Sequence, residues 1–329
     1  MKAAWQGLSA AWYRGAWWLW LLRPLELLFR IAVRLRRTLY QWGVVKTYRA
    51  PRPVVVVGNI TVGGSGKTPV VVALVEALGE RGVQAGVVSR GYGARTGNFP
   101  RVLGADSIAQ DCGDEPLLIY RRTGAPCVVS PSRVDAVQAL LQQFPVDLVI
   151  SDDGLQHYAL DRDMEIALMD AAVGLGNRFC LPAGPLREPA RRLESVDFSL
   201  ERGGDGAPVS YRPDCLVRLD GTRELPPDPA VLGAEVYAVA GIGQPQQFAD
   251  TLQELGFRPS LVSFPDHHSY RAGDLAGLDD RPIIMTEKDA VKCASFAGAN
   301  SWFLRISAEL PAQVVEAVVT LAEHRTTGE

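Results

Sequence analysis

The chain lacks the marks of several protein classes. Its five cysteines (Cys112, Cys127, Cys180, Cys215 and Cys293) contain no CxxC pair, which argues against a zinc site and a disulfide framework and fits a reducing compartment. It lacks a charge excess: 34 Lys+Arg against 37 Asp+Glu give a formal net charge of -3, so no global attraction for nucleic acid is expected. It also lacks a long apolar run. Residues 16–22 are bounded by Arg14, Arg23, Pro24 and Glu26, whereas a spanning helix needs roughly 20 nearly uncharged residues. No A-x-A-like site follows that run, so a signal peptide is not expected. Internal repeats and low-complexity tracts are absent as well. What is present, 329 residues of which 47% are hydrophobic, suffices for one large core or two moderate ones, and two domains are expected.

Aromatic residues are distributed unevenly. Six of the seven tryptophans (Trp5, Trp12, Trp17, Trp18, Trp20 and Trp42) precede the first predicted strand. Beyond Pro24, Leu25, Leu28, Phe29, Ala32 and Leu39 recur near helical spacing, and Arg30, Arg34 and Arg37 form a basic stripe beside them. Tryptophan favours the lipid headgroup level and arginine favours anionic lipid, so residues 1–48 are expected to form an amphipathic helix region at a membrane surface. A helix packed on the protein's own core is the competing reading.

After a Pro-punctuated linker at 49–53, strand and helix patterns alternate. Strands are predicted at 54–57, 83–89, 126–130, 147–151 and 165–170, and helices at 67–80, 116–122 and 132–144. That order predicts an α/β fold, a doubly wound parallel sheet of the P-loop NTPase kind. A stretch rich in Gly, Pro and charge at 201–229 interrupts the rhythm. The chain is therefore divided into the amphipathic region 1–48, a core domain 49–225 and a smaller α/β domain 226–329. The last carries predicted strands at 236–240, 260–264, 283–286 and 302–306 and helices at 244–255 and 311–324.

The strongest chemical signal is the segment Val54-Val-Val-Val-Gly58-Asn-Ile-Thr61-Val62-Gly63-Gly64-Ser65-Gly66-Lys67-Thr68, a strand entering a glycine-rich loop and a helix. Glycines let backbone N–H groups point at phosphate oxygens, the helix N-terminus adds its dipole, Lys67 reaches the β/γ-phosphates and Thr68 offers a hydroxyl to magnesium. The usual pattern has glycine where Thr61 stands. Residues 148–153 (Leu-Val-Ile-Ser-Asp152-Asp153) form an apolar strand ending in two acids. Strand carboxyl ends face the ligand crevice in such sheets, so Asp152 and Asp153 are candidate metal ligands.

Further candidates carry bland readings beside the sharp ones. Asp114 and Glu115 open a predicted helix, where capping is the simple explanation and proton acceptance the functional one. His267 and His268 lack a third metal ligand at suitable spacing, so an orienting or acid–base role for one of them is favoured over ligation. Arg187, Arg191 and Arg192 lie around Glu188 and can clamp an anion, the last two also fitting a solvated helix face.

Taken together, Thr61-Val-Gly-Gly-Ser-Gly-Lys-Thr-Pro69, Ser89-Arg-Gly-Tyr-Gly93, Gly113-Asp-Glu-Pro116, Asp152-Asp-Gly-Leu-Gln-His157, Gly184-Pro-Leu-Arg-Glu188, Asp266-His-His268 and Thr286-Glu-Lys-Asp289 resemble, in order and spacing, the tetraacyldisaccharide 4'-kinase family. Thr61 belongs to that family's version of the loop, and Cys112 departs from the acidic residue common in its place. The resemblance implies two α/β/α domains at the cytoplasmic face of the bacterial inner membrane, as a peripheral enzyme of lipid A synthesis. It implies ATP and Mg²⁺ as cofactors and a lipid-linked disaccharide 1-phosphate as the phosphate acceptor, with lipid IVA as product. No nucleic acid or protein partner is implied. By the family's motifs Asp114 is the general base, a histidine of 266–268, His267 by preference, orients it, and Lys67, Thr68, Asp152 and Asp153 serve MgATP. Glu115, Arg187 and Glu188 belong to the same cleft, lined from the second domain by residues 241–245 and 287–289. A P-loop GTPase is the rival enzyme class, disfavoured because Lys288 is followed directly by Asp289 rather than spaced as N/T-K-x-D. A nucleotide-switched adaptor without chemistry is the third reading.

Overall fold

The computed structural model describes residues 2–64, 66–94, 97–203 and 208–326. It opens with α1 (Lys2–Arg14), a 3-10 turn (Trp17–Leu22) and α2 (Arg23–Gln41). There follow β1 (Val54–Gly58), α3 (Lys67–Gly79), β2 (Ala85–Ser89), β3 (Arg101–Val102), α4 (Ala109–Cys112), α5 (Asp114–Thr123), β4 (Cys127–Val129), α6 (Arg133–Gln143), β5 (Leu148–Asp152), β6 (Met164–Asp170) and β7 (Phe198–Arg202). The chain continues with β8 (Ser210–Arg218), β9 (Glu224–Leu225), α7 (Pro229–Leu232), β10 (Glu235–Ala240), α8 (Pro245–Glu254), β11 (Arg258–Ser263), β12 (Ile283–Thr286), α9 (Glu287–Cys293), β13 (Ser301–Glu309) and α10 (Ala312–Thr326).

Two sheets result. The first has the order β3-β4-β2-β5-β1-β6-β7 and is parallel except for its β3 edge. β1 lies inside it with all five residues buried, which is why its valine run needs no polar alternation. Val57 sits in register with Asp152, so the end of β1 and the end of β5 emerge side by side. The second sheet has the order β11-β10-β12-β13-β8-β9 and is parallel as far as β13. β8 then pairs antiparallel with β13 and with β9.

The second sheet begins at Ser210, so β8 and β9 lie before the division expected at 225/226 yet belong to the later sheet. β8 reads poorly as a strand because Pro213 and charged residues interrupt its alternation. The pairing tolerates Pro213 through a register shift between Leu304 and Ile306 on β13, the kind of bulge at which a missing N–H is absorbed. α10 in turn leaves the second sheet: Val314, Val318 and Ala322 join the core built by Val70, Leu74 and Leu117 of α3 and α5.

The amino-terminal region is inside out relative to a core helix. α2 buries Glu26 at 2% exposure, where it pairs with Arg23 and Arg30 and accepts the Cys180 N–H, while Leu25, Leu28, Ile31 and Leu35 face outward. Among the described residues no helix is long and apolar enough to cross a membrane. Trp12 does not join the exposed aromatics: it is buried with Leu19 and donates its indole N–H to Pro182 O at 3.0 Å. Trp17 and Trp42, each 77% exposed, and Trp20 remain outside.

Candidate active site

The phosphate loop follows β1 directly. Gly66 caps α3 at φ 73° and Gly63 stands at φ 105°, conformations that side chains resist. No side chain caps the N-terminus of α3 among the described residues, and a helix N-terminus directly after a glycine-rich loop is where an anion is favoured. Ser65 lies outside the described residues. The loop is steadied on its entering side by the 184–188 segment: Thr61 bridges Leu186, Val62 N–H donates to Pro185 O at 2.8 Å and Arg187 N–H to Ile60 O. Gly184 makes that segment possible, because a Cβ there would stand 2.3 Å from both Asn177 Oδ1 and Phe179 O. Tyr211, arriving from β8, donates its hydroxyl to Gly66 O beneath the Arg202 guanidinium.

Charge is arranged tightly around the loop. Lys67 is buried and lies 3.3 Å from Asp153 Oδ1, while Arg187 Nη1 donates to Asp153 Oδ2 at 3.0 Å. Burial would raise the Asp153 pKa, but the Lys67 and Arg187 charges hold it well below the usual range. Asp152 moves the other way: burial and then the Glu115 charge push it up, against Lys67. Its Oδ2 accepts the Ser89 hydroxyl at 3.0 Å, but its buried Oδ1 has no hydrogen-bond donor among the described residues. A carboxylate oxygen left without a donor, with the Thr68 hydroxyl at the start of α3, is a donor set that suits a hard cation. Among the described residues no three His, Cys, Asp or Glu side chains gather as a metal cage, so such a cation would take its other oxygens from phosphate and water.

The second half of the site joins the two sheets. Asp114 opens α5, behind Gly113 at φ 92°. A Cβ at Gly113 would stand 2.7 Å from Tyr92 O, so glycine lets the 89–93 and 113–116 loops meet. Asp114 Oδ1 accepts the Glu115 N–H, and Oδ2 lies 3.0 Å from His267 Nδ1 and 3.7 Å from Lys292 Nζ. Burial works to raise the Asp114 pKa, yet the His267 hydrogen bond and the Lys288 and Lys292 charges bring it down to about 2. The His267 pKa is raised chiefly by Asp114, with burial and Lys288 opposing. His267 sits at φ 57° with its ring against Tyr92. His268 turns instead to Asp274, 3.0 Å away, and stacks on Phe264. A cavity of about 330 Å³ opens beside this pair, lined in part by Tyr92, Asp114, Arg121, His267 and Lys292.

Three residues expected to line the cleft or clamp an anion are buried among protein partners. Glu188 is buried at 2% exposure and is consumed by Gln156, Tyr158 and Arg192, which makes it a strut for the loop after β5. Arg192 does not lie on a solvated face, because it is buried between Glu165 and Glu188; Arg191 is exposed. Asp289 is likewise buried, taking the Gly241 N–H at 2.8 Å and the Thr286 hydroxyl at 2.6 Å, and so ties the 241–245 turn to α9. Sequence reasoning assigned no role to Ser89, Tyr92, Gln156, Tyr211 or Lys292. Only spatial neighbourhood reveals them, although Ser89, Tyr92 and Gln156 fall inside motifs already singled out.

Comparison with known proteins agrees with this arrangement over nearly the whole chain. The sequence model of the family described as Tetraacyldisaccharide-1-P 4'-kinase matches residues 18–323. A tetraacyldisaccharide 4'-kinase of Azotobacter vinelandii is 52% identical over 306 residues, covering 92% of each chain. One from Pseudomonas aeruginosa is 51% identical over 306 residues with the same coverage, and one from Alcanivorax borkumensis is 49% identical over 319 residues, covering 96% of this chain and 97% of the relative. Among solved structures, the crystal structure of the "apo" form of LpxK from Aquifex aeolicus in complex with ATP superposes with a TM-score of 0.77 at 28% identity, covering 93% of this chain and 99% of that one. With a phosphate loop, paired acids and an Asp–His contact in the places its motifs require, the chain belongs to the tetraacyldisaccharide 4'-kinase family.

Proposed function

We propose that the chain transfers the γ-phosphate of ATP to the 4'-hydroxyl of a tetraacyl glucosamine disaccharide 1-phosphate, giving lipid IVA and ADP. The observation that carries this reading is the joint presence of a phosphate loop with a buried Lys67 and an ionised, imidazole-bound Asp114 around Glu115, which is adjacent to Asp114 and perturbs Asp152. The acceptor oxygen attacks the γ-phosphorus as the bond to the β-phosphate oxygen breaks, and its proton passes to Asp114. A carboxylate held near pKa 2 is a weak base, so the proton moves late, which suits a loose phosphoryl-transfer transition state in which the nucleophile is little deprotonated. Lys67 neutralises charge on the transferring group, and Arg187 holds Asp153 in place. Thr68 and Asp152, with Asp153, would hold Mg²⁺, which when bound neutralises the β- and γ-phosphate oxygens.

The acceptor's acyl chains keep it in the bilayer, since each buried CH₂ is worth about 0.8 kcal/mol. Docking through the outward face of the Trp17–Leu22 turn and α2 brings the site to the acceptor at the cytoplasmic surface of the inner membrane. The two sheets, divided near residue 208, close over the nucleotide as separate lobes and exclude water. The test is incorporation of labelled γ-phosphate into the disaccharide 1-phosphate lipid in detergent micelles, with ATP and GTP compared. ATP-dependent labelling at the 4'-position is expected. Failure to label any authentic acceptor, with folded protein and Mg²⁺ present, would overturn the reading in favour of an adaptor.

A further inference from the structure

Lys288, the second residue of α9, faces the far side of the His267 ring. Its ammonium stands 3.0 Å from Glu115 Oε1, 3.3 Å from His267 Nε2 and 3.6 Å from Asp266 Oδ1. An ammonium donates three hydrogen bonds and accepts none. The imidazole nitrogen that meets it must therefore offer a lone pair, and the ring proton is left on Nδ1, the nitrogen 3.0 Å from Asp114. We propose that Lys288 is a positioning residue for phosphoryl transfer: its ammonium selects the Nδ1–H tautomer of the neutral His267 ring, which aims the Asp114 carboxylate at the acceptor hydroxyl. The proposal rests on the reading of Asp114 as the proton acceptor.

The neighbours contest the charge of the ring, and on balance Asp114 raises its pKa. An imidazolium would point a second N–H at the ammonium, setting donor against donor and charge against charge. Two carboxylates favour that imidazolium: Asp114 on α5 and Asp266, whose Oδ2 is 3.9 Å from Nε2 on the ring's own loop. Lys288 opposes them from α9, and Lys292, 3.7 Å from Asp114, draws off part of that carboxylate's charge. Tyr92 closes the flank with a ring contact and no charge of its own. Glu115 holds the Lys288 ammonium in place. Among the described residues Asp114 then has one hydrogen bond on each oxygen, from Glu115 N–H and His267 Nδ1–H, and a carboxylate has about four lone-pair sites, so room remains for an incoming hydroxyl.

The experiment pairs ¹⁵N-imidazole NMR with kinetics on the full chain. In the parent, at a pH above the His267 midpoint that Asp114 raises, the ring is expected as the neutral Nδ1–H tautomer. In Lys288→Met the ring's titration midpoint rises by about one pH unit as the opposing charge is lost. kcat falls about 10- to 100-fold, the loss typical when an orienting partner of a functional imidazole is removed. Affinity for ATP stays within about twofold, because Lys288 is not part of the phosphate loop, and Lys288→Arg recovers most of kcat by keeping charge and donors. An Nε2–H ring in the parent above its midpoint, or an unshifted midpoint in Lys288→Met, overturns the proposal. So does a Lys288→Arg enzyme no better than Lys288→Met. Should Lys288→Met fail to fold, Lys288→Gln gives the same titration readout. If Asp114→Asn turns over normally while the ring behaves as described, the Asp114 reading fails and the control of the ring by Lys288 stands.

Discussion

At the residue scale, the proposed mechanism separates side chains that would meet the substrates from those that hold others in place, and the two kinds should fail differently. Asp114→Asn keeps the shape of the α5 N-terminus but removes the charge, so kcat should fall about 10²- to 10⁴-fold with ATP affinity unchanged. Because the carboxyl is held at about 2, it is ionised above pH 4, and the acid limb of the parent's kcat profile should owe nothing to it; a limb between pH 5 and 7 that vanishes in Asp114→Asn would contradict this. Glu188 belongs to the second kind. Removing it in Glu188→Ala leaves Gln156, Tyr158 and Arg192 without their shared partner in a buried site, a change worth about 2–4 kcal/mol of stability. Denaturant unfolding checks it: a variant as stable as the parent, with only the KM for the lipid raised, would restore Glu188 to the cleft.

At the scale of elements, short loops set the geometry, and Gly113 is where two of them touch. It combines φ 92° with a would-be Cβ 2.7 Å from the Tyr92 carbonyl, whereas Gly124, at the other end of α5, has φ 66° and open space around it. Gly124→Ala should cost about 1 kcal/mol for backbone strain alone, while Gly113→Ala should cost more and lower kcat by displacing Asp114. Equal losses in thermal unfolding and in turnover for the two variants would remove the loop contact from the explanation. The same scale shows what the sequence makes legible. β1, β5 and the phosphate loop announce themselves, because a strand buried on both faces leaves a run of valines and a phosphate cradle needs glycines at set positions. The choice of His267 over His268 could rest only weakly on sequence, since adjacent residues differ in direction and direction is set by the φ 57° turn. β8 was hidden by Pro213, and Lys292 by its distance in sequence from Asp114. Arg192 looked like a surface cation because its two acidic partners, Glu165 and Glu188, are assembled by folding.

For the whole molecule, the decisive asymmetry is the amino-terminal platform, which hides a glutamate and shows its leucines. A solvent-facing helix with that pattern loses free energy to water on every exposed apolar group, and a bilayer surface would recover it. Trp12 and Leu19 fasten the platform to the body, and Val62 of the phosphate loop and Leu181 pack against the same small cluster, so the proposed docking would orient the active site as well as recruit it. Leu21 and Leu28, exposed at 72% and 63%, take no part in that cluster. The triple variant Trp17→Glu, Leu21→Glu and Leu28→Glu should leave the fold and ATP affinity intact. It should weaken partitioning onto vesicles containing anionic lipid by at least about 100-fold, since even one fully buried leucine is worth about 1.5–3 kcal/mol. Turnover on the micellar acceptor should fall much less than turnover on acceptor embedded in vesicles. If the variant binds vesicles like the parent, the platform's apolar side does not meet the membrane, and acceptor delivery has to be sought on another face of the molecule.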